Sequence, residues 1–368
     1  MKTRAAVVYE HDAPVVVDTL TLDDPKDNEV LLRMGASGVC HSDLSVVNGT
    51  IYYPPPVALG HEGAGIVERV GGNVTYVKPG DHVILSFVTY CEHCVMCEMG
   101  RVCLCQGFDV RKGYLLDDTC RLHNAKGHDI PQMSRIATMS ELAVVPEQAL
   151  IKIDPDYPLD KAALVGCGVT TGVGAVLKTA EVEAGSTVAV IGTGGVGLNA
   201  VQGARVAGAE RIIAVDLVDR KLEFARQFGA TDTVNGSETD AVEAVKELTG
   251  GLGVDYAFEA IGSSVTIRQA FDMVRYAGTA VAIGLARQDD MVPIPPQELI
   301  WAEKRLIGSY YGSSRPRVDM PEYLRLYDEG KLMLDELITQ TYQLEQINEA
   351  FDDMEAGKNA RGILALDL

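Results

Sequence analysis

The stretch STVAVIGTGGVGLNAVQGARVAGAERIIAVD, residues 186–216, carries the strongest indication of fold in this chain of 368 residues. An apolar run leads into Gly192-x-Gly194-x-x-Gly197, and a helix-like segment, a second apolar run and Asp216 follow. Strand, tight glycine turn, helix and second strand make up the βαβ unit that binds dinucleotides. The glycines allow the turn and let a pyrophosphate approach the unpaired N–H groups at the helix N-terminus.

Asp216 indicates which dinucleotide the unit would bind. A carboxylate about 20 residues beyond the glycines suits the free ribose hydroxyls of NAD, whereas NADP needs a small residue and a nearby arginine for its 2′-phosphate. The sequence therefore predicts NAD, and Arg220 is the nearby residue that keeps NADP open. The turn residues expected to contact the cofactor are Gly192, Gly194, Gly195, Val196 and Gly197.

The regions on either side of this unit differ in their predicted pattern of strands and helices. Downstream, DYAFEAIG and GTAVAIG continue the alternation of strand and helix that is typical of a doubly wound parallel sheet. The first 150 residues instead hold short β-rich runs separated by Gly, Pro and Asn, which indicates an irregular, barrel-like antiparallel domain. Since single cores stop growing at roughly 250–300 residues, we expect two domains.

The charge and hydropathy of the chain limit the classes of binding partner and the compartment that we expect for it. Lys and Arg number 32 against 52 acidic residues, a net charge of −20, which disfavours nucleic acid and anionic membrane surfaces. We see no apolar run near the roughly 20 residues that a bilayer span needs, and the N-terminus resembles a first strand rather than a signal peptide. We expect a cytoplasmic protein, in which thiols stay reduced.

Five cysteines lie in CEHCVMCEMGRVCLC, residues 91–105. In a reducing compartment such a cluster is more typical of a metal site than of disulfides. Four of them follow the spacing CxxCxxCx7C, namely Cys91, Cys94, Cys97 and Cys105. Four thiolates close a tetrahedral shell with no open position, which is the structural type of zinc site. Cys103 also lies within reach in the sequence, and we assign no role to it or to Cys120.

A catalytic zinc needs three protein ligands and an open position. The segments GVCHSD, GHEGAG and VGCGVTTG supply Cys40, His61 and Cys167. Each residue alone would be an ordinary core residue. Together they form a Cys–His–Cys set that leaves the fourth position for water or an alcohol oxygen.

The chain resembles the zinc-dependent medium-chain alcohol dehydrogenases, because it carries in this order GVCHSD, GHEGAGIVE, CxxCxxCx7C, VGCGVTTG and GTGGVG. The match extends to the final GKNARGILAL and is closest to the branch of liver-type, glutathione-dependent formaldehyde and aryl-alcohol dehydrogenases. The resemblance implies a Rossmann domain inserted in a mainly-β, GroES-like catalytic domain. We predict a catalytic domain with both zinc sites over 1–168, an NAD-binding domain over 169–309, and a return to the catalytic domain over 310–368.

The resemblance also implies roles around the catalytic zinc. Asp43 would orient the zinc-binding histidine through a hydrogen bond. Glu62 would be the carboxylate that can approach the metal. Ser42 would contact the substrate alcohol and begin the proton relay.

Further implied roles concern the cofactor. His41 and Arg361 would contact the pyrophosphate, Thr171 would pack against the nicotinamide, and Lys221 would support the carboxylate at the adenosine ribose. Relatives often place a histidine where this chain has Ser45, so the outer member of the proton relay stays open between His41 and water.

The substrate pocket departs from the glutathione-dependent pattern. Those relatives carry acids before the GHE motif, whereas this chain has none between Thr50 and Leu59. Tyr52 and Phe87, with Tyr53, suggest an aromatic, mostly apolar pocket wall, although each is as compatible with core packing.

The resulting hypothesis is an NAD-dependent enzyme with two zinc ions per subunit. It would oxidise primary, apolar or aromatic alcohols to aldehydes, and the reverse, by hydride transfer to NAD from a zinc-bound alkoxide. A formaldehyde dehydrogenase that uses an adduct of a thiol other than glutathione is the alternative. A non-catalytic dinucleotide-binding protein is disfavoured because all three zinc ligands are retained. The resemblance implies a homo-oligomer, and the excursion at 111–138 resembles that of dimeric members, which favours a dimer over a tetramer.

Overall fold

A computed structural model describes residues 1–108 and 111–366. The chain divides into two compact units. The first unit combines both ends of the chain, namely Met1–Cys167, Arg315–Arg325 and Leu334–Leu368. The second consists of Gly168–Ser314 and Leu326–Met333.

The N-terminal part of the first unit is mainly β-structure. Its strands are β1 (Lys2–Val8), β2 (Val16–Leu22), β3 (Glu29–Val39), β4 (Val57–Ala58), β5 (Gly63–Val70), β6 (His82–Leu85), β7 (Leu122–His123), β8 (Leu142–Pro146) and β9 (Leu150–Ile153). Its short helices are α1 (His41–Val47), α2 (Val95–Glu98) and α3 (Leu159–Leu164).

The second unit alternates helices with parallel strands. The strands are β10 (Thr187–Ile191), β11 (Arg211–Asp216), β12 (Asp232–Asn235), β13 (Val254–Glu259), β14 (Val274–Ala282) and β15 (Arg305–Gly308). The helices are α4 (Thr170–Gly174), α5 (Gly195–Ala207), α6 (Asp219–Phe228), α7 (Ala241–Leu248), α8 (Ser264–Met273) and α9 (Pro296–Trp301). The sheet order is β12-β11-β10-β13-β14-β15, and all its described pairs are parallel.

The C-terminal return adds α10 (Pro316–Asp328), β16 (Ile338–Tyr342), α11 (Ile347–Glu355) and β17 (Arg361–Ala365). In the first unit, β16 and β17 extend a seven-stranded sheet in the order β16-β17-β3-β5-β6-β9, with β8 also on β3. A second sheet has the order β4-β1-β2-β7. The antiparallel pairing of β17 with β3 carries the end of the chain to the strand that leads into Cys40.

Burial explains why strands β1 and β10 are runs of consecutive apolar residues. Strand β1 is covered on both faces, because Ala6 and Val8 pack in the main core of the first unit while Ala5 and Val7 pack in a second cluster. Side chains alternate between faces along a strand, so the run AAVV serves two cores. The apolar run of β10 lies in the middle of the parallel sheet, and its residues 188–191 are all buried, as expected for a parallel strand covered on both faces.

The structure corrects two expectations. Residues 310–314 and 326–333 belong to the second unit, although we assigned 310–368 to the first. Hydrogen bonds account for the second stretch, because Arg205 Nη2 donates to the Lys331 carbonyl (2.9 Å) and the Met333 N–H donates to Gln202 Oε1 (2.9 Å).

The other correction concerns apolar length. Two π-helical turns, Val165–Val169 and Ala175–Thr179, join α3 and α4 into one helical run, Leu159–Thr179. At 21 residues and a mean hydropathy of 1.4, this run is long and apolar enough to cross a membrane by length and composition alone. However, 78% of its most apolar stretch is buried inside the structure, as in a core helix.

Candidate active site and metal centres

Four ligand-bearing side chains converge in the first unit. Cys40 stands immediately before α1, His61 and Glu62 immediately before β5, and Cys167 in the π-helical turn after α3. One possible ligand atom of each lies within 4.8 Å of those of the others, and all four residues are buried. The three predicted zinc ligands are therefore brought together, with the predicted neighbouring carboxylate.

Asp43 fixes the orientation of His61. The His61 Nδ1 lies 3.0 Å from Asp43 Oδ1, which also accepts a hydrogen bond from the Gly60 N–H (3.2 Å). Burial lowers the pKa of His61, but the Asp43 carboxylate and Cys40 together outweigh it, so the pKa of His61 is raised. With Nδ1–H on Asp43, the lone pair of Nε2 is available to a metal. Nε2 is buried and has no hydrogen-bond partner among the described residues, which fits a metal ligand.

The pKa values of the two cysteines of this cluster are shifted in opposite directions. A hydrogen bond with Cys167 lowers the pKa of the Cys40 thiol, and the charges of His61 and Arg361 also act in this direction. The same hydrogen bond and burial raise the pKa of Cys167. Two adjacent thiolates repel one another unless a cation neutralises them, so this donor set fits a divalent metal ion such as zinc.

Glu62 is paired with Arg361 from the far end of the chain. Arg361 Nη2 lies 2.5 Å from Glu62 Oε2, while Glu62 Oε1 is buried without a hydrogen-bond partner among the described residues. Burial raises the pKa of Glu62 to about 7, although the charge of Arg361 opposes this. We predicted a pyrophosphate contact for Arg361, and the contact that the structure shows is this ion pair. Gly38 leaves space for this carboxyl group, because a Cβ there would lie 2.6 Å from the Glu62 carboxyl carbon and would displace it.

The predicted substrate residues fall at different places. The Phe87 ring meets the His61 ring edge-on, with ring centroids 5.7 Å apart, so Phe87 borders the cluster of ligand-bearing side chains. Tyr52 is 63% exposed, and its ring contacts His11 instead (5.9 Å). Tyr53 is buried in the main core, where its hydroxyl accepts a hydrogen bond from the Ser134 N–H (3.1 Å).

The predicted relay residues lie on α1. His41 and Ser42 both belong to this seven-residue helix, which begins directly after Cys40. Ser45, to which we assign no catalytic role, lies on the same helix. His41 is exposed and Ser42 is half-buried. The helix thus carries the candidate relay residues next to a metal ligand.

The four predicted cysteines of the second centre also converge. The sulfur atoms of Cys91, Cys94, Cys97 and Cys105 all lie within 4.8 Å of one another. Two of the separations are 3.6 Å, between Cys94 and Cys97, and 3.9 Å, between Cys94 and Cys105. A tetrahedral zinc with Zn–S bonds of about 2.3 Å places its sulfurs about 3.8 Å apart. The described geometry fits such an ion.

Backbone N–H groups support these sulfurs. Cys105 Sγ accepts from the N–H of Cys91 (3.2 Å) and of Gly107 (3.4 Å), and Cys91 Sγ accepts from the N–H of Cys94 (3.3 Å). Backbone hydrogen bonds at Gln106 and Cys97 lower the pKa of Cys94 to about 6. Burial and the neighbouring thiols raise the pKa of Cys97 to about 12, so the cluster needs a cation to hold four thiolates.

Gly107 is a residue of this centre that sequence reasoning missed. A Cβ on Gly107 would lie 2.0 Å from Cys91 Sγ. Its spacing of two residues after the last ligand was the only available signal. Cys103, two positions before Cys105, is buried. Cys120 is also buried, and its thiol donates to the Ile130 carbonyl (3.0 Å).

In the second unit, the glycine motif forms the predicted turn between β10 and α5. Gly192 has φ +86°, and a Cβ on Gly197 would lie 1.7 Å from the Gly192 carbonyl oxygen. A Cβ on Gly194 would meet nothing within 4 Å, so this position, the N-cap of α5, faces open space. The turn is therefore built as a dinucleotide requires, with room beside the helix N-terminus.

Asp216 ends β11, as predicted, and Thr193 holds its carboxylate. Asp216 Oδ2 accepts from the N–H (2.8 Å) and the hydroxyl (3.0 Å) of Thr193, which sequence reasoning missed. Lys221 lies on α6, and Thr171 lies on α4. Gly172, beside Thr171, packs against the start of α5. A Cβ added at this position would lie 2.3 Å from the Val196 carbonyl oxygen.

Glu259 was also missed. It ends β13, is fully buried, and its Oε1 accepts hydrogen bonds from the N–H groups of Ile261 (2.9 Å) and Gly262 (2.7 Å). The side chain of Ile261 in turn borders Gly192, where a Cβ would lie 2.5 Å from it. Glu259 thus shapes the loop that lies beside the glycine turn.

Comparison with known proteins identifies the relatives of this chain. The model of the alcohol dehydrogenase GroES-like domain matches residues 26–155, and that of the zinc-binding dehydrogenases matches residues 195–329. The NDMA-dependent alcohol dehydrogenase of Amycolatopsis methanolica is 41% identical over 99% of both chains. The S-(hydroxymethyl)glutathione dehydrogenase of Saccharomyces cerevisiae is 40% identical over 100% of this chain and 97% of its own. The crystal structure of benzyl alcohol dehydrogenase from Acinetobacter calcoaceticus superposes with a TM-score of 0.92, at 33% identity and full coverage of both chains.

A GroES-like unit and a Rossmann-type unit in one chain define an oxidoreductase of the dehydrogenase class. The chain belongs to the zinc-dependent medium-chain alcohol dehydrogenase family. The predicted family, the fold class and the conclusion that the chain is an enzyme are confirmed.

Proposed function

We propose that this enzyme oxidises primary, mainly apolar or aromatic, alcohols to aldehydes with NAD, and catalyses the reverse reaction. The observation that carries the proposal is the cluster of Cys40, His61 and Cys167, with its buried, unpartnered His61 Nε2. Three ligands leave an open position for a substrate oxygen. A zinc ion bound there would act as a Lewis acid and lower the pKa of an alcohol, and the nicotinamide would accept the hydride.

The residues around the cluster have complementary tasks. Asp43 holds His61 in the tautomer that presents Nε2 to the metal. Arg361 compensates the charge of the buried Glu62. Phe87 covers one side of His61 with an apolar ring, which keeps water from that side. Ser42 would accept the alcohol proton and pass its own proton outward to His41 or water.

The second centre is proposed to be a structural zinc site. Four sulfur ligands leave no position for a substrate, so this site would contribute folding free energy rather than chemistry. With the first centre it gives two zinc ions per chain. Metal analysis of the purified protein should find two zinc ions per chain, and a content of one would contradict this assignment.

The preference for NAD rests on Asp216. Its carboxylate, held by Thr193, would accept hydrogen bonds from ribose hydroxyls and would repel a 2′-phosphate. The Arg220 guanidinium carbon, Cζ, lies 5.8 Å from the centroid of the Phe224 ring on the same helix, in a cation–π contact. We expect tighter binding of NADH than of NADPH in a fluorescence titration, and the reverse order would contradict the proposal.

The substrate class is tested by NADH formation across aliphatic, benzylic and allylic alcohols. We expect the benzylic alcohols to give the highest kcat/KM, in line with the aromatic Phe87 beside the metal cluster. NDMA should be included as an electron acceptor, because the Amycolatopsis relative is named for its dependence on it. A lack of turnover with every alcohol class would overturn the proposal.

A second candidate is a formaldehyde dehydrogenase that acts on a thiol adduct. The relative from Saccharomyces cerevisiae, whose name specifies S-(hydroxymethyl)glutathione, favours it. The absence of an acid between Thr50 and Leu59 argues against glutathione itself and for another thiol. Formaldehyde oxidation that depends strictly on an added low-molecular-weight thiol would establish this alternative and displace the first.

We also propose a cytoplasmic homodimer. Strand β15 is the last strand of the parallel sheet, and Leu306 on it and the neighbouring Ile300 and Trp301 are exposed. Pairing of two such edges would cover them. Light scattering should give twice the chain mass of 39.5 kDa, and a mass of one or four chains would contradict the dimer.

A further inference from the structure

Two buried hydroxyls enclose the peptide of Glu62. Thr138 Oγ1 accepts a hydrogen bond from the Glu62 N–H (3.2 Å), and Ser37 Oγ donates one to the Glu62 carbonyl (3.0 Å). The two hydroxyl oxygens are 2.8 Å apart. All three residues have no exposed surface. This arrangement has no part in the chemistry described above, yet it contacts the segment that carries two of the four clustered ligands.

The hydrogen atoms of this group can be arranged in one direction only. A hydroxyl has a single hydrogen to donate. Since Ser37 uses its hydrogen for the Glu62 carbonyl, Thr138 must donate its own to Ser37 Oγ. The result is a closed ring that runs from the Glu62 N–H through Thr138 and Ser37 and back to the Glu62 carbonyl. Every donor in the ring is satisfied, and its bonds reinforce one another.

The glycines of the GHEG segment fit the same ring. A Cβ on Gly60 would lie 2.6 Å from Thr138 Oγ1, and a Cβ on Gly63 would lie 2.7 Å from Thr138 Cβ. Thr138 therefore occupies the space that side chains at both flanking positions would need. Ser37 lies on β3, whereas Thr138 lies in the segment before β8, so two separate parts of the first unit hold this peptide.

We propose that Ser37 and Thr138 are positioning residues, which hold the Glu62 peptide and thereby fix His61 Nε2 and the Glu62 carboxylate relative to Cys40 and Cys167. This inference rests on the proposed metal-binding role of that cluster. Neither hydroxyl touches a ligand atom, so they act through the backbone. Outer partners of metal ligands affect metal affinity because they orient the ligands.

The decisive variant is Thr138→Val, which keeps the shape of the side chain and removes the hydroxyl. It leaves the buried Glu62 N–H without an acceptor and opens the ring. We expect the zinc affinity of the cluster to fall by roughly 10–100-fold, measured by competition with a colorimetric chelator. The absorption spectrum of the cobalt-substituted protein should change as well, because the ligand geometry changes. The zinc of the four-cysteine centre should be retained.

Thr3→Val is the matched control. Thr3 belongs to the same unit, is 2% exposed, accepts a hydrogen bond from the Leu142 N–H (2.9 Å) and donates to the Leu142 carbonyl (3.2 Å). The Thr3→Val variant therefore loses equivalent hydrogen bonds, but the partners of the Thr3 hydroxyl, Leu142 and Arg4, do not belong to the cluster. We expect a lower melting temperature with an unchanged zinc affinity and cobalt spectrum. Equal losses of zinc affinity in both valine variants would reduce Thr138 to an ordinary core residue and overturn the inference.

Two more variants complete the test. Thr138→Ser restores the hydroxyl and should recover most of the zinc affinity. Ser37→Ala opens the ring at another point but leaves the Glu62 carbonyl its bond from the Gly38 N–H (2.8 Å), so its effect should be smaller. If Thr138→Val does not fold, Ser37→Ala tests the same ring.

Cys40→Ser separates this inference from the proposed function. If that variant keeps both zinc ions with normal affinity, the metal assignment itself is wrong. If it loses one zinc ion while Thr138→Val and Ser37→Ala bind zinc as the unaltered protein does, only the positioning role is wrong.

Discussion

The two cysteine-containing centres of the first unit are built in opposite ways. The four-cysteine centre comes from residues 91–105, is partly exposed, and is supported by backbone N–H groups of its own loop. The other cluster draws its residues from positions 40, 61, 62 and 167, is buried, and is supported by side chains from other parts of the unit.

This difference separates local from tertiary control of geometry. A short loop that folds around its own sulfurs specifies a closed site, since the spacing alone limits where the ligands can lie. An open site needs ligands that do not surround the ion, and here each side of the cluster is held by a different element. We call the cluster of Cys40, His61, Glu62 and Cys167 the open cluster and the four-cysteine site the closed centre. Substitutions at distant positions should therefore disturb the geometry of the open cluster and leave that of the closed centre unchanged.

The largest effect is expected from Cys40→Ser, which removes a ligand of the open cluster. Turnover should fall to the assay background, while NADH affinity, measured by fluorescence titration, should be nearly unchanged because the glycine turn lies in the other unit. Near-normal turnover in this variant would show that chemistry does not take place at this cluster.

Arg361→Leu should reveal how strongly the open cluster depends on distant residues. It leaves the buried Glu62 carboxylate without its partner, so we expect a loss of about 3–5 kcal/mol in unfolding free energy. Adding Glu62→Gln should recover part of this loss, since it removes the unpaired charge. Arg33→Leu, which breaks the partly exposed pair with Glu68 (2.6 Å), is the control and should cost at most about 1 kcal/mol. Equal losses in Arg361→Leu and Arg33→Leu would contradict the importance of the buried pair.

Cys94→Ser should have the complementary effect at the closed centre. We expect one zinc ion to be lost and the melting temperature to fall by roughly 5–10 °C, because closed sites contribute folding free energy. Protein that remains folded at low temperature should keep most of its turnover. An unchanged melting curve combined with lost turnover would reverse the roles that we assign to the two centres.

The smallest effect is expected from Gly107→Ala, which changes the closed centre without removing a ligand. The added methyl group would overlap Cys91 Sγ, so we expect a destabilisation of about 1–3 kcal/mol and faster release of that zinc to a chelator. Gly72→Ala is the control, because the nearest atom to its Cβ would be Asp27 Oδ1 at 3.7 Å. Zinc release at the same rate in the two variants would exclude a specific role for Gly107.

The sequence predicted those features whose information is local. The glycine turn and Asp216 could be recognised because strand, turn, helix and acid follow one another directly. The four-cysteine spacing was equally local, and the structure brings those sulfurs together. The cluster of Cys40, His61 and Cys167 could be proposed from the chemistry of its ligands and from family resemblance, but nothing in the spacing of these residues makes them neighbours.

The remaining contacts join distant positions and left no pattern to recognise. Glu62 and Arg361 are 299 positions apart, and Ser37 and Thr138 are 101 apart. Such pairs depend on strand pairing and on the packing of whole segments. The helical run Leu159–Thr179 was missed for a different reason, because Gly, Thr and Cys interrupt its apolar pattern.

The ion pair between Glu62 and Arg361 bears on the order in which the protein is synthesised. Arg361 lies 194 positions after Cys167, the last ligand of the open cluster, on the strand that pairs with β3. On the ribosome, every ligand of the open cluster emerges long before this arginine does. The buried carboxylate thus gains its counter-charge only after all the ligands of both centres have emerged, whereas the loop of four cysteines is complete once residue 105 has emerged. Zinc acquisition at the two centres is expected to follow the same order.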